Sequence, residues 1–256
     1  MEKPGHVDRI RPYKSNTMQS SEEIKNWYNI FSETQVAAGT NLRHYTIFSK
    51  LLDSGLKKHH AVLEIGCGIG TLTKLIHSYL KKGELVATDI SDESIEIARK
   101  RISKSHKINF QVTDMKNFSH PTKFDFVVLP DVLEHIPIEQ HSALFDTISK
   151  QMHEKSIVLI NIPHPKALNF SRSHIPEKLQ IIDQSIGADE MIINTYAANL
   201  ELIDYISYSL FYKETDSVLI RFKKKSEMTL TKLSKPVIMK RKLIKRIRYY
   251  LAKGIF

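Results

Sequence analysis

A short apolar strand pattern that runs into three alternating glycines is the feature that most constrains the fold of this chain. Residues Ala61–Ile65 are apolar at all but one position, a run too short for a helix and suited to a strand buried on both faces. The glycines lie within residues 66–70, and an amphipathic segment, Thr71–Leu80, follows them directly. Glycine allows a positive φ and a close approach of ligand to backbone, while the next helix presents free N–H groups at its start. The pattern therefore predicts a strand, a tight turn and a helix that hold a negatively polarised or carboxylate-bearing ligand.

The spacing of the glycines distinguishes between nucleotide-binding turns. The dinucleotide fingerprint is G-x-G-x-x-G, whereas residues 66–70 read G-x-G-x-G, one residue tighter. A second strand is predicted over Glu84–Thr88, and Asp89 at its tip lies nineteen positions after Gly70. A carboxylate at that tip can accept hydrogen bonds from both ribose hydroxyls of an adenosine. In these residues the chain resembles the class I S-adenosylmethionine (SAM) methyltransferases.

The resemblance implies SAM as the cofactor and an α/β fold. That fold is a Rossmann-like, seven-stranded, mostly parallel sheet with helices on both faces, here joined by an N-terminal helical lid and a C-terminal basic amphipathic helix. Glu64 and the glycine turn are expected to hold the methionine part of SAM, Asp89 the ribose and Asp114 the adenine. The full expected cofactor-binding set is Glu64, Gly66, Cys67, Gly68, Gly70, Asp89, Ile90, Asp114, Met115 and Asp131.

The chain has 256 residues, 41% of them hydrophobic, which suits one α/β domain with an appendage. We expect an N-terminal arm and helical lid over residues 1–55, a SAM-binding methyltransferase domain over 56–225 and a basic amphipathic tail over 226–256. Further helices are predicted to begin near Ser20 and to span Leu42–Leu52, Asp92–Ser103, Ile138–Met152 and Gly187–Asn199. Further strands are predicted at Ile108–Val112, Phe124–Leu129, Ser156–Ile162, Leu200–Tyr212 and Ser217–Lys223. Residues 1–19 are expected to be loosely ordered, and the polar stretch from 163 to 186 to be a functional loop.

Methyl transfer to a hydroxyl benefits from a general base, and histidine suits that role near neutral pH. His135 and His164 each follow the carboxyl end of a predicted strand and are the predicted catalytic residues. No H-E-x-x-H motif or Cys/His cluster is present, so no metal is expected. The single cysteine, Cys67, suits a structural role in the turn.

The segment after the fourth predicted strand bears on the acceptor. It reads Pro-Asp-Val-Leu-Glu-His-Ile over residues 130–136, which resembles small-molecule methyltransferases, including quinone O-methyltransferases. It differs from the Asn/Asp-Pro-Pro-Tyr/Phe loop of enzymes that methylate exocyclic amines of nucleobases. The expected acceptor is therefore a hydroxyl of a small molecule or glycan, with nucleic acid disfavoured.

The positive charge is concentrated at the C-terminus. Residues 223–256 carry twelve Lys and Arg and one acid, a net charge of +11, and the other 222 residues carry −1. After Pro236, apolar residues recur at helical spacing among basic ones. Such a helix suits the headgroup region of an anionic membrane, and docking on the enzyme body or on a second subunit is the alternative.

No run is long and apolar enough for a membrane span, and the first residues are too polar for a secretory signal. The expected location is therefore cytoplasmic, with peripheral attachment to the inner face of the cell membrane. Three other functions stay open: an RNA methyltransferase that grips phosphates with the tail, a SAM-binding protein without turnover, and an NAD-linked oxidoreductase. The sequence carries no signal for the oligomeric state.

Overall fold

Seven strands of the chain form a single sheet. The computed structural model describes residues 21–102, 108–227 and 229–253, and the chain divides into two units, residues 1–225 and 226–256. The strands are β1 (Val62–Ile65), β2 (Leu85–Asp89), β3 (Ile108–Val112), β4 (Phe124–Pro130), β5 (Met152–Pro163), β6 (Leu200–Tyr208) and β7 (Ser217–Lys224). Their order is β3-β2-β1-β4-β5-β7-β6; β7 runs antiparallel to both β5 and β6, and the other neighbouring pairs are parallel. The predicted seven-stranded, mostly parallel sheet is confirmed.

Helices cover both faces of this sheet. In the described residues they are α1 (Ser21–Ala38), α2 (Leu42–Asp53), α3 (Thr71–Tyr79), α4 (Asp92–Arg101), α5 (Ile138–Lys150), α6 (Pro165–His174), α7 (Ala188–Ala197) and α8 (Lys235–Ala252). Residues of α2 and α3 pack on one face of the sheet, and residues of α5 and α7 pack on the other. The first seven helices belong to the first unit.

The central strands alternate between two hydrophobic clusters. On β4, Val127 and Leu129 pack with the α5 side, whereas Phe126 and Val128 pack with the α2 side. Successive side chains of a strand point to opposite faces, so a strand covered on both faces must be apolar throughout. This double burial explains why the strand segments read as short continuous apolar runs.

The strand order reverses between β1 and β4. The chain runs outward from β1 through β2 to β3 and then returns to β4 on the other side of β1. Loops at the carboxyl ends of β1 and β4 diverge at such a point and leave a crevice. The glycine turn lies at this crevice.

One predicted loop is a helix instead. Residues 163–186 were expected to be irregular, yet α6 occupies Pro165–His174. The Nδ1 atom of His164 accepts a hydrogen bond from the Lys166 N–H at 3.2 Å, and Pro165 stands in the first turn. A capping side chain followed by proline is a favourable helix start. This local signal explains why a helix forms in a stretch of polar composition.

The other boundaries differ modestly from those expected. Strand β5 begins four residues earlier than predicted, at Met152, and β6 ends at Tyr208 rather than Tyr212. The expectation for residues 1–19 and the predicted helical position at Ser103 lie outside the described residues.

The second unit contains α8. This helix carries seven Lys and Arg and no acidic residue, and none of its residues is buried. The apolar side chains Leu243, Ile244, Ile247 and Leu251 are all exposed, and at 100° per residue they lie within an arc of about 100°. Among the helices that the structure describes, none is both long and apolar enough to cross a membrane.

Candidate active site

The glycine turn is held in left-handed conformations by strand β2. Gly66, Gly68 and Gly70 have φ values of +73°, +51° and +78°. The carbonyl of Thr88 accepts hydrogen bonds from the N–H of Gly66 at 2.8 Å and of Cys67 at 2.9 Å. Residues with a side chain rarely adopt such φ values, which explains why glycine occupies these positions.

The two outer glycines also make room for neighbouring elements. A Cβ atom on Gly66 would lie 2.2 Å from Cγ2 of Val132, in the segment after β4. A Cβ atom on Gly70 would lie 3.0 Å from both Ala98 and Ile102. Gly70 therefore permits the packing of the turn on α4, and Gly66 permits the close approach of Val132.

Asp89 braces the turn from the tip of β2. Its Oδ2 accepts a hydrogen bond from the Gly68 N–H at 2.7 Å, and its Oδ1 accepts one from the Ser91 N–H at 2.9 Å. Burial raises the pKa of Asp89, and these backbone hydrogen bonds oppose that rise. Each carboxylate oxygen keeps a second lone pair, so Asp89 can still accept hydrogen bonds from a ligand in front of the turn.

Glu64 is a buried carboxyl group without a partner. It is fully buried on β1, and neither of its carboxylate oxygens has a hydrogen-bond partner among the described residues. Burial raises its pKa to about 8, against an opposing effect of the neighbouring Thr73 hydroxyl. A buried carboxylate without hydrogen bonds is costly, and a cationic ligand group would remove that cost.

Two cavities meet at the turn. The first has a volume of about 340 Å³ and is lined by Asp89, Ile90, Asp114 and Met115 among others. The second, of about 400 Å³, is lined by Glu64 and Cys67 and extends to residues of α2 and to Phe211. Gly66, Gly68 and Asp131 line both cavities. Most of the predicted cofactor residues are therefore gathered around one connected crevice.

Helix α1 covers the crevice. Its Tyr28 lines the first cavity and its Gln35 lines both cavities. Asn29 fixes the helix to the start of α4, because its amide donates to Asp92 at 3.1 Å and accepts from the Ser91 hydroxyl at 2.6 Å. This placement corresponds to the position expected for a lid.

His135 lies on the wall of the first cavity in an acidic setting. Its Nδ1 is 2.6 Å from the carbonyl oxygen of Ile182 and 3.2 Å from Asp183, and its Nε2 is 3.7 Å from Glu134. Burial by itself would lower the pKa of His135, but Glu134, Asp183 and the Ile182 carbonyl raise it to about 9. The acidic neighbours of His135 favour its protonated ring, which donates hydrogen bonds through its nitrogens.

The remaining predicted residues lie at the edges of the site. His164 lines neither cavity, and its ring caps α6. Asp114 lies on the exposed rim of the first cavity and pairs with Lys116 at 3.1 Å. Cys67 is a buried free thiol whose pKa is raised by burial, in keeping with a packing role. Among the described residues, no cluster of His, Cys, Asp and Glu forms a metal site.

Sequence reasoning missed several polar residues that line or support the crevice. These are Gln35 and Gln180, which line both cavities, and Arg43, Asn161 and Tyr208, which surround Asp131. Asn161 carried a usable signal, because it is a polar residue inside an apolar strand. The others come from distant segments, and only the fold brings them together.

Comparison with known proteins finds matches to methyltransferases. A family model described as a methyltransferase domain matches residues 62–155. The ribosomal protein L11 methyltransferase of Thermotoga neapolitana is 31% identical over 128 residues, which cover 49% of this chain and 46% of that protein. The malonyl-[acyl-carrier protein] O-methyltransferase 1 of Ilyobacter polytropus is 32% identical over 73 residues, which cover 28% of this chain and 27% of that protein. The chain thus spans less than half the length of these curated relatives.

The fold agrees with this result. The N-methyltransferase NodS of Bradyrhizobium japonicum WM9, in complex with S-adenosyl-L-homocysteine (SAH), superimposes with a TM-score of 0.57 at 22% identity, covering 72% of this chain and 86% of that chain. Residues 62–155 thus match a methyltransferase domain, and the chain has the fold of the SAM-dependent methyltransferases.

The residues of the site fit SAM. The unpartnered carboxyl of Glu64 matches the ammonium group of the methionine part, and Asp89 matches the ribose hydroxyls. A side chain at Gly66 would collide with Val132, which lines the first cavity. The glycine turn and the carboxyl groups of Glu64 and Asp89 therefore fit SAM as the cofactor.

The pKa of Glu64 predicts proton release on cofactor binding. With a pKa of about 8, about nine in ten Glu64 carboxyl groups are protonated at pH 7. An ammonium group beside Glu64 favours the ionised form, so the affinity for SAH should rise up to about tenfold per pH unit between pH 6 and pH 7.5 and level off above the pKa. Calorimetry in buffers of different ionisation enthalpy measures both effects. Glu64→Gln should bind SAH more weakly without this pH dependence, and an equal pH response in both proteins would contradict the assignment.

Gly66 should tolerate no side chain. Gly66→Ala combines a φ of +73° with a Cβ 2.2 Å from Val132, so we expect loss of SAH binding and a destabilisation of about 2 kcal/mol or more. Calorimetry and urea unfolding test this expectation. Gly55→Ala is the matched control, because Gly55 has a φ of +96° but no atom within 4 Å of the added Cβ. It should lose about 1–2 kcal/mol from backbone strain and bind SAH normally; normal binding by Gly66→Ala would refute the steric argument.

Proposed function

We propose that the protein transfers a methyl group from SAM to a hydroxyl of a small-molecule or saccharide acceptor. One observation carries this proposal: a buried, unpartnered carboxyl at Glu64 and a second carboxyl at Asp89 flank the same glycine turn. The first suits a cationic amino-acid moiety and the second a ribose, and SAM contains both.

The protein contributes binding and alignment. When bound, SAM supplies a methyl group on a sulfonium, which is a good leaving group, so the chemistry needs a well-placed nucleophile and little else. Glu64, the turn and Asp89 would hold the cofactor along the crevice, and Asp114 and Met115 would contact the adenine. Helix α1 would exclude water, because Tyr28 and Gln35 cover the crevice.

The second cavity is the proposed acceptor chamber. Beyond Glu64 it is lined by Asn41, Arg43 and His44 of α2 and by Phe211, none of which belongs to the expected cofactor set. Its side chains offer both hydrogen-bond donors and acceptors, as a hydroxylated acceptor requires. One relative is named an O-methyltransferase and one structural neighbour an N-methyltransferase; the O-directed relative supports an oxygen acceptor, and the polar chamber supports a hydroxyl.

The tail supports an acceptor at a membrane, such as a lipid-linked intermediate at the inner face of the cell membrane. Helix α8 exposes an apolar stripe among basic residues. Basic residues near an anionic bilayer contribute about 1 kcal/mol each, and an apolar stripe adds the free energy of its burial in the interface. We therefore favour a membrane surface over RNA as the partner of α8.

Cofactor binding tests the first part of the proposal. Trp27 is the single tryptophan of the chain and lies on α1, stacked on Phe31 at a ring-centroid distance of 4.8 Å. Titration with SAH should change its fluorescence and release heat, and Asp89→Asn should weaken binding by at least about tenfold through lost ribose hydrogen bonds. Asp146→Asn, an exposed carboxyl on α5, is the matched control and should bind normally.

Binding results also separate the alternatives. No heat with SAH but heat with NAD would indicate an oxidoreductase. SAH binding without transfer of tritiated methyl groups from SAM to cell extracts would indicate a SAM-binding protein without turnover.

Vesicle sedimentation tests the tail in the full-length chain. The protein should sediment with vesicles that contain phosphatidylglycerol and much less with pure phosphatidylcholine. The double variant L243E/I247E should reduce the partition coefficient by at least about tenfold, because it removes apolar burial from the stripe. Leu230→Glu alters a leucine that is 87% exposed outside α8 and should change nothing. Equal sedimentation of L243E/I247E and wild type would exclude α8 as the anchor, and steeply salt-dependent RNA binding instead would favour the RNA alternative.

A further inference from the structure

Asp131 occupies a special position between the two cavities. It lines both of them, at the carboxyl end of β4. Its φ is +54°, a left-handed conformation that costs a residue with a side chain about 1–2 kcal/mol. Strain of this kind persists where the surroundings fix it and is concentrated at functional sites. Glycine would relieve the strain, so the carboxylate itself needs an explanation.

A hydrogen-bonded chain across the sheet orients that carboxylate. The Asn161 amide Nδ2 donates to Asp131 Oδ1 at 2.9 Å, and the Tyr208 hydroxyl donates to Asn161 Oδ1 at 2.6 Å. Burial, followed by the charge of Asp131, raises the pKa of Tyr208 to about 12, so its hydroxyl stays a donor at physiological pH. Because Tyr208 donates to the amide oxygen, the amide NH₂ of Asn161 must face Asp131.

The second carboxylate oxygen of Asp131 faces a looser contact. Arg43 Nη1 lies 3.4 Å from Oδ2, and the Arg43 guanidinium lies 5.5 Å from the centre of the Phe211 ring, which lines the second cavity. One oxygen is thus fixed by Asn161, while the other keeps hydrogen-bonding capacity toward the chamber.

We propose that Oδ2 of Asp131 accepts the proton of the acceptor hydroxyl, and that Arg43, Asn161 and Tyr208 are positioning residues. The inference rests on the proposed methyl transfer. As the acceptor oxygen forms its bond to the methyl carbon, the electron pair of the broken C–S bond stays on sulfur, and the O–H proton passes to Asp131 and then to solvent. A carboxylate suffices as the proton acceptor, since the hydroxyl proton becomes strongly acidic as the O–C bond forms.

The other proton acceptors of the second cavity are less suited. Glu64 is assigned to the cofactor, and Cys67 is a buried thiol with a raised pKa. The Nδ1 atom of His44 accepts a hydrogen bond from the Asn41 N–H at 3.2 Å. In the neutral ring Nε2 therefore carries the proton and is a donor. The charged and titratable groups that act on or respond to Asp131 are Arg43, His44, Glu134 and Tyr208.

The test compares cofactor binding with methyl transfer. The probe is a small-molecule and lipid extract of cells that lack the gene, incubated with the full-length protein and SAM tritiated on the methyl group. Asp131→Asn keeps size and hydrogen-bonding geometry, so SAH affinity should stay within about threefold while the labelling rate falls at least about 100-fold. Tyr208→Phe should lower kcat about three- to tenfold while SAH affinity stays at the wild-type value, because Asn161 then orients the Asp131 carboxylate less well. Asp146→Asn is again the matched control and should label the extract at the wild-type rate.

Each other result counts against the proposal. Wild-type labelling by Asp131→Asn with normal SAH binding would show that another group accepts the proton. Loss of SAH binding in that variant would return Asp131 to the cofactor-binding set. A loss of SAH affinity in Tyr208→Phe that equals its rate loss would reduce Asn161 and Tyr208 to structural roles. Failure of the wild type to bind SAH, or to label any extract, would refute the methyltransferase proposal and the proton-acceptor role together.

Discussion

The crevice depends on a glycine turn whose backbone is bonded to the neighbouring strand. The Thr88 carbonyl and the Asp89 carboxylate together accept three N–H groups from Gly66, Cys67 and Gly68. These bonds require positive φ values, and the segment after β4 leaves no space for a Cβ on Gly66. The ends of β1, β2 and β4 are therefore locked together, and that lock places Glu64, Asp89 and Asp131 around one space.

Buried acidity gives this space its chemical character. Burial raises the pKa values of Glu64, Asp89 and Glu134, while Arg43, Lys116 and His135 are cations paired with acids around the crevice in the part of the chain described. Carboxyl groups held away from water and short of partners favour a ligand that brings positive charge. A cofactor that carries an ammonium and a sulfonium meets that demand. The same electrostatics favours the protonated form of the His135 ring.

Two helices outside the central sheet divide the remaining tasks. Asn29 of helix α1 makes hydrogen bonds with Ser91 and Asp92. These two residues closely follow Asp89, the expected ribose-binding residue, so the helix that covers the crevice is attached beside the cofactor site. Helix α8 belongs to the second unit and has an exposed apolar stripe. In the proposed function, α1 keeps water from the reaction and α8 brings the enzyme to a membrane-bound acceptor.

The sequence by itself determined the sheet, the glycine turn and the residues at the tips of β1 and β2, because double burial and positive φ leave direct marks on residue type. The sequence did not predict helix α6, because its capping histidine and proline lie in a stretch whose polar composition is typical of a loop. The structure shows contacts that the sequence did not predict for the two histidines: His164 caps α6, and His135 is ion-paired with Glu134 and Asp183. Only the tertiary structure joined Arg43, Asp131, Asn161 and Tyr208, because their contacts cross α2, β4, β5 and β6, and no local pattern records a contact between distant segments.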